Sequence, residues 1–170
     1  TVRNTGARKD ALTASVELYA PGDDGELIAQ VSRDVFVPAG EAVDVELSGE
    51  VENPLKWSAE TPNLYALRAR LSDGGRTVAT VETRVGFRKI ETDGVLLLVN
   101  GAPIKLRGVV RNELDPERGR AVTIEDMRRD IRMMKRANIN AVRTSFYPPH
   151  PAFLELCDEM GLYVVVDAPF

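Results

Sequence analysis

Cysteine, histidine and tryptophan each occur once in these 170 residues, and lysine with arginine is outnumbered by aspartate with glutamate, 22 to 26. Each scarcity excludes something. The one cysteine, Cys157, has no partner for an internal disulfide. The one histidine, His150, sits between Pro149 and Pro151 with no cysteine or second histidine to complete a metal site, so capping or packing is its expected use. A formal net charge of −4 leaves no excess of positive charge to hold nucleic acid or an anionic membrane. No apolar stretch reaches transmembrane length, no signal-peptide pattern opens the chain, and no glycine-rich loop suits a phosphate, since DGG at 73–75 reads as a hairpin turn. These absences fit a reducing, cytoplasmic setting. The opening TVRNTG already reads as the middle of a strand, so a targeting segment upstream is compatible with it.

What is present is an ordinary globular composition, 44% hydrophobic and 28% charged, enough for one or two small cores. The first half, 1–92, alternates with period two. In ASVELYA, Val16 and Leu18 are expected to face inward with Ser15 and Glu17 outward; AVDVELS sets Val43, Val45 and Leu47 against Asp44 and Glu46. YALRARLS repeats the pattern, with Tyr65, Leu67, Ala69 and Leu71 opposite Arg68 and Arg70. Turn-rich stretches, PGDDGE, PAGE, NPLKWSAETPN and SDGG, separate these runs. Short strands at this spacing predict an immunoglobulin-like antiparallel β-sandwich. Trp57, between Pro54 and Pro62, is expected to be a packing anchor at a sandwich corner and not a sugar platform.

From residue 93 to residue 170 the pattern changes. Asn100-Gly101 between two apolar runs signals a hairpin. Strand, helix, strand, helix, strand follows. The first helix should start at Thr123, with Asp126 closing a capping box, and bury Ile124, Met127, Ile131 and Met134. The second should run from Pro151 to a C-cap at Gly161, with Phe153, Leu156, Cys157 and Met160 inward. Cys157 is then an apolar filler, not a nucleophile. The strands IKLRGVV, INAVRT and LYVVVDA, joined by helices, predict parallel neighbours. Such a sheet has one bare face and an open edge, so the expected architecture is a sandwich followed by the beginning of a (β/α) barrel or of an open α/β sheet, cut from a longer protein.

In parallel α/β architectures chemistry collects at the carboxyl ends of the strands. The first strand here leads into Arg111, Asn112, Glu113 and Asp115, the second into Arg143, Thr144, Ser145, Phe146 and Tyr147, the third into Asp167. Arg143 admits two readings, a salt bridge at the barrel end or a functional cation. Glu113, Asp115, Glu117 and Asp167 do not make a convincing acid/base pair, because the loop NELDPERGR reads as solvated surface.

The ordered strings NPLKWSAETPNLYALRARL, VGFRKIE, LLLVNGAPIKLRGV and DIRMMKRANINAVRTSFYPPHPAFLELCDEMGLYVVVDA resemble glycoside hydrolase family two, the β-galactosidases, β-glucuronidases and β-mannosidases, with the β-galactosidase branch nearest in wording. The resemblance spans nearly the whole chain, and it implies an immunoglobulin-like antiparallel β-sandwich followed by the first β/α units of an incomplete (β/α)8 TIM barrel. It implies retaining hydrolysis of β-linked saccharides, here terminal β-D-galactosides, by two carboxylates about 5–5.5 Å apart, both on later barrel strands and so outside this chain. It implies that Arg143 orients the nucleophilic carboxylate and keeps it ionised, and that Arg111, Asn112, Glu113, Phe146, Tyr147 and Asp167 belong to the substrate-binding rim. The β-galactosidase pattern has histidines where Asn112 and Phe146 stand, an asparagine at Val110, and DEA where this chain has Asp167-Ala168. Asn112 keeps hydrogen-bonding capacity; Phe146 offers only an apolar face. No cofactor is expected in this chain, although magnesium or sodium near the active site is common in the family, and the parent enzyme is expected to be a possible homo-oligomer. Two further readings compete: a carbohydrate-binding sandwich fused to a non-catalytic barrel, and a sandwich that serves mainly in subunit assembly.

Overall fold

The structure, a computed structural model, describes residues 1–6, 10–22 and 25–167. Asp23 and Asp24 of the expected turn PGDDGE, and residues from Ala168 on, lie outside them. The elements in chain order are β1 (Val2–Arg3), β2 (Asp10–Tyr19), β3 (Leu27–Val37), β4 (Ala42–Val43), β5 (Tyr65–Asp73), β6 (Arg76–Val85), β7 (Ile90–Asp93), β8 (Leu96–Val99), β9 (Ala102–Pro103), β10 (Gly108–Arg111), α1 (Ile124–Arg136), β11 (Ala141–Thr144), α2 (Pro151–Met160) and β12 (Tyr163–Val165). Two compact units share them. The first takes Thr1–Pro54 and Leu64–Val85; the second takes Leu55–Asn63 and everything from Gly86 on. Residue 92, the sequence-based boundary, falls inside β7.

The first unit is the immunoglobulin-like sandwich. Four antiparallel strands pair in the order β3-β2-β5-β6, and β1 pairs antiparallel with β4. Ala14, Val35 and Val37 form its core, with Val2, Val43, Val45, Leu47 and Leu71 packed on them. The expected alternation after Val43 survives only in part: the ladder stops there, yet Val45 and Leu47 still turn their side chains to this core. Glu17 departs from expectation more sharply. It lies on the outer face but is only 8% exposed. Tyr19 Oη donates to it at 2.6 Å and Arg70 Nη1 at 3.2 Å, so neighbours two residues on and one strand over cover its carboxylate.

In the second unit β7, β8 and β9 form an antiparallel meander, with Asn100 at φ 54° and Gly101 at φ 80° making the expected primed turn. Then β10, β11 and β12 pair in parallel, in that order, with α1 and α2 as the crossovers. This is the start of a (β/α) barrel. The expected first strand is shorter than its apolar run: Lys105 and Arg107 are held by the Asn140 side chain, which donates to Lys105 O and accepts from Arg107 N, and the ladder begins only at Gly108. Val142, Met127, Ile131, Met134, Phe153, Leu156, Cys157 and Leu162 fill the layer between sheet and helices. Ile124, expected inward, is 53% exposed, and Val122 covers that end of the core instead. Thr123 and Asp126 form the complete capping box, and His150 caps α2, its Nδ1 accepting from Ala152 N at 3.2 Å.

Trp57 is a packing anchor, though of the second unit and not of the sandwich. It is 1% exposed; its Nε1 donates to Asp158 O at 2.8 Å, its ring meets Tyr163 edge-on at 5.7 Å, and a Cβ on Gly86 would lie 2.9 Å from it. No helix among the described residues is long and apolar enough to cross a membrane.

Candidate active-site rim

Alternation along a strand decides which side chains can meet here. The register sets Val110 beside Arg143 and Arg143 beside Val165, so these three share the face turned away from the helices. They are open there, Val110 61% and Val165 48% exposed, the Arg143 side chain 60%. Asp167 lies two residues past Val165 and returns to the same face, which lets its carboxylate reach the guanidinium. Arg143 Nε donates to Oδ1 at 2.8 Å and Nη2 to Oδ2 at 3.1 Å. This is a planar two-pronged fork, the geometry for which arginine is suited and lysine is not. The fork and the Phe146 amide, 3.1 Å from Oδ2, hold the Asp167 carboxyl below the usual carboxylate range and raise the guanidinium in turn. Buried Thr144 completes the corner, its Oγ1 accepting from Asp167 N at 3.2 Å.

Phe146 carries a positive φ of 69° and a ring 79% exposed at the ends of these strands. Tyr147, next to it, is half-buried with the Arg120 guanidinium 4.8 Å from its ring centre. Asn112 is exposed. The structure thus gathers Arg143, Phe146 and Asp167 into one constellation.

Arg111 goes elsewhere. In register with Thr144 it points into the helix layer, 7% exposed, its guanidinium 4.4 Å from the Phe153 ring centre. Nε pairs with Asp130 at 3.0 Å and Nη1 with Glu113 at 3.4 Å. Such a residue ties β10 to both helices. Glu113 is partly buried, and its Oε1 also accepts the His150 amide at 3.3 Å. Sequence reasoning missed Thr144 as an acceptor and Asp130 as the partner of Arg111. Nothing local marks either one, because both contacts join residues about 20 positions apart that only the crossovers bring together.

Among the described residues no three His, Cys, Asp or Glu side chains come together to hold a metal. The carboxylates nearby are committed to arginine: Asp115 and Asp126 to Arg118 at 2.9 and 2.7 Å, Asp130 to Arg111, Asp167 to Arg143.

Comparison with known proteins finds relatives along the whole length of the chain. The family model for glycosyl hydrolases family 2 matches residues 1–88, and that for the family's TIM barrel domain matches residues 90–170. A β-galactosidase of Pseudoalteromonas haloplanktis is 51% identical over 119 residues, which cover 69% of this chain and 12% of that protein. A β-galactosidase of Priestia megaterium is 44% identical over 156 residues, 91% of this chain and 15% of the relative. Among solved structures, a Bacteroides uniformis β-glucuronidase superposes with a TM-score of 0.91 at 31% identity, covering 99% of this chain and 20% of that one. The matched part of the chain therefore spans only 12% and 15% of the length of these two curated relatives. With a sandwich and a barrel start matched in order along its length, it belongs to glycosyl hydrolases family 2.

Proposed function

We propose that this chain is part of a retaining exo-β-glycosidase that hydrolyses terminal β-D-galactosides, with the nucleophile and the acid/base glutamates on later strands of the barrel. The observation that carries this is the Arg143 fork at the carboxyl end of β11, in a sequence 44–51% identical to β-galactosidases. In such a mechanism one carboxylate attacks the anomeric carbon while the other protonates the leaving oxygen, then activates water. Arg143 supplies positive charge where the nucleophile must stay ionised, and its exposed outer edge leaves room for a second carboxylate beside Asp167. Asn112, Phe146 and Tyr147 form the substrate-facing rim, Asn112 by hydrogen bonds and Phe146 by its apolar ring. Arg111, buried among Phe153, Asp130 and Glu113, acts through them by fixing the end of β10. The partner is a β-linked saccharide, and a cytoplasmic setting accords with the single buried thiol.

A second reading, a β-glucuronidase, is favoured by the structural likeness to the Bacteroides uniformis enzyme. The replacement of two expected histidines by Asn112 and Phe146 bears on this choice, because specificity resides in such polar contacts. The test is hydrolysis of chromogenic β-galactoside, β-glucuronide, β-mannoside and β-glucoside by the full-length polypeptide. Preferred cleavage of the galactoside is expected. Preference for the glucuronide would replace the proposal by the second reading, and turnover of none would leave a sugar-binding protein.

A further inference from the structure

Two carboxylates hold the loop after β11, one at each end. At the near end Asp167 Oδ2 accepts the Phe146 amide at 3.1 Å while the same carboxylate receives the Arg143 fork. At the far end Glu113 Oε1 accepts the His150 amide at 3.3 Å, itself steadied by Arg111 Nη1 at 3.4 Å. Between these anchors lie Tyr147 and two prolines, whose rings fix φ and leave no amide to donate. Phe146 sits at φ 69°, a region that a bulky side chain avoids, with its ring in the open. A strained residue persists only where its surroundings over-determine it. The Asp167 carboxylate, with about four acceptor sites, already accepts three hydrogen bonds, two from Arg143 and one from the Phe146 amide, which leaves little capacity for a sugar hydroxyl.

We infer that Asp167 and Glu113 are positioning residues that clamp the 145–150 loop from both sides and hold Phe146 at positive φ, so that its ring stands beside Arg143 as a platform for the apolar face of the saccharide. This rests on the glycosidase reading for the platform, though not for the clamp. The experiment uses the full-length polypeptide and the variants Asp167→Ala, Glu113→Ala, Phe146→Gly and the Asp167→Ala/Phe146→Gly pair. Amide hydrogen exchange should speed up at least about tenfold at Phe146 in Asp167→Ala and at His150 in Glu113→Ala, with ligand absent. If Asp167→Ala does not fold, Asp167→Asn, which keeps an acceptor but not the charge, serves in its place with a smaller acceleration. In kinetics on the β-galactoside, Phe146→Gly should raise KM with kcat little changed, the sign of a contact equal in ground and transition states. Asp167→Ala should raise KM and lower kcat, through Phe146 and Arg143 respectively, and adding it to Phe146→Gly should raise KM no further. Unchanged exchange at Phe146 and His150 overturns the clamp. KM effects that multiply in the double variant overturn the coupling of Asp167 to the platform. Absence of hydrolysis by the unaltered protein would defeat the glycosidase reading alone, since exchange still decides the clamp.

Discussion

Single residues here owe their chemistry to whether the fold covers them. Cys157 is fully buried in the helix layer, and desolvation, assisted by the Asp158 carboxylate, pushes its thiol up to about 12. Thiolate is the reactive form. An aromatic disulfide reagent at pH 8 should therefore label Cys157 negligibly in the native protein and readily after denaturation, read by peptide mapping; labelling of Cys157 in the native form at a comparable rate would contradict the burial. Asp126 is the opposite case. Its carboxylate accepts the Thr123 hydroxyl and amide, with Arg118 beyond them, and is held down at about 2. The ordinary aspartate value is about 3.9, so the folded state binds the proton more weakly than the unfolded one. The stability this contributes is present above about pH 4 and is lost as pH falls from there toward 2. Melting curves of the protein and of Asp126→Asn should accordingly differ most near neutrality and converge by about pH 2.

At the level of elements, the two helices show how much local sequence specifies and where it stops. Thr123, Asp126 and the spacing of Met127, Ile131 and Met134 announce α1 from its capping box to its buried stripe. Ile124 fits the same stripe and is exposed, because a periodic pattern says which way a side chain points and not how far the neighbouring element extends. Helix α2 ends at Gly161 for two reasons, only one of them local. Its φ of 78° is the left-handed C-cap that favours glycine, and a Cβ there would stand 2.3 Å from Ala59 O, a residue a hundred positions away. Lys135 Nζ bonds both Ala59 O and Gly161 O, at 2.7 and 2.8 Å, which draws the two backbones together. Gly161→Ala should cost at least about 1–2 kcal/mol from the backbone conformation alone, measured by urea denaturation, and more than the same change at Gly40, also at positive φ but with nothing within 4 Å of its Cβ position.

Across the whole molecule, the chemistry proposed lies at the carboxyl ends of three parallel strands, and the chromogenic panel and the loop variants address it at that scale. The sequence by itself determined the order of the elements, the antiparallel and parallel halves, the Asn100-Gly101 turn, both helix caps and the strand ends where polar residues collect. It could do so because hydrophobic period, turn chemistry and capping are set by neighbours within a few positions. It also carried enough ordered motifs to reveal the family. Only the tertiary structure decided that Arg143 forks onto Asp167, that Arg111 turns into the helix layer, that Glu17 is covered, and that Trp57 serves the barrel start and not the sandwich. Those outcomes depend on strand register and on crossovers that bring together residues tens of positions apart, and a one-residue shift of register would reverse every one of the faces involved.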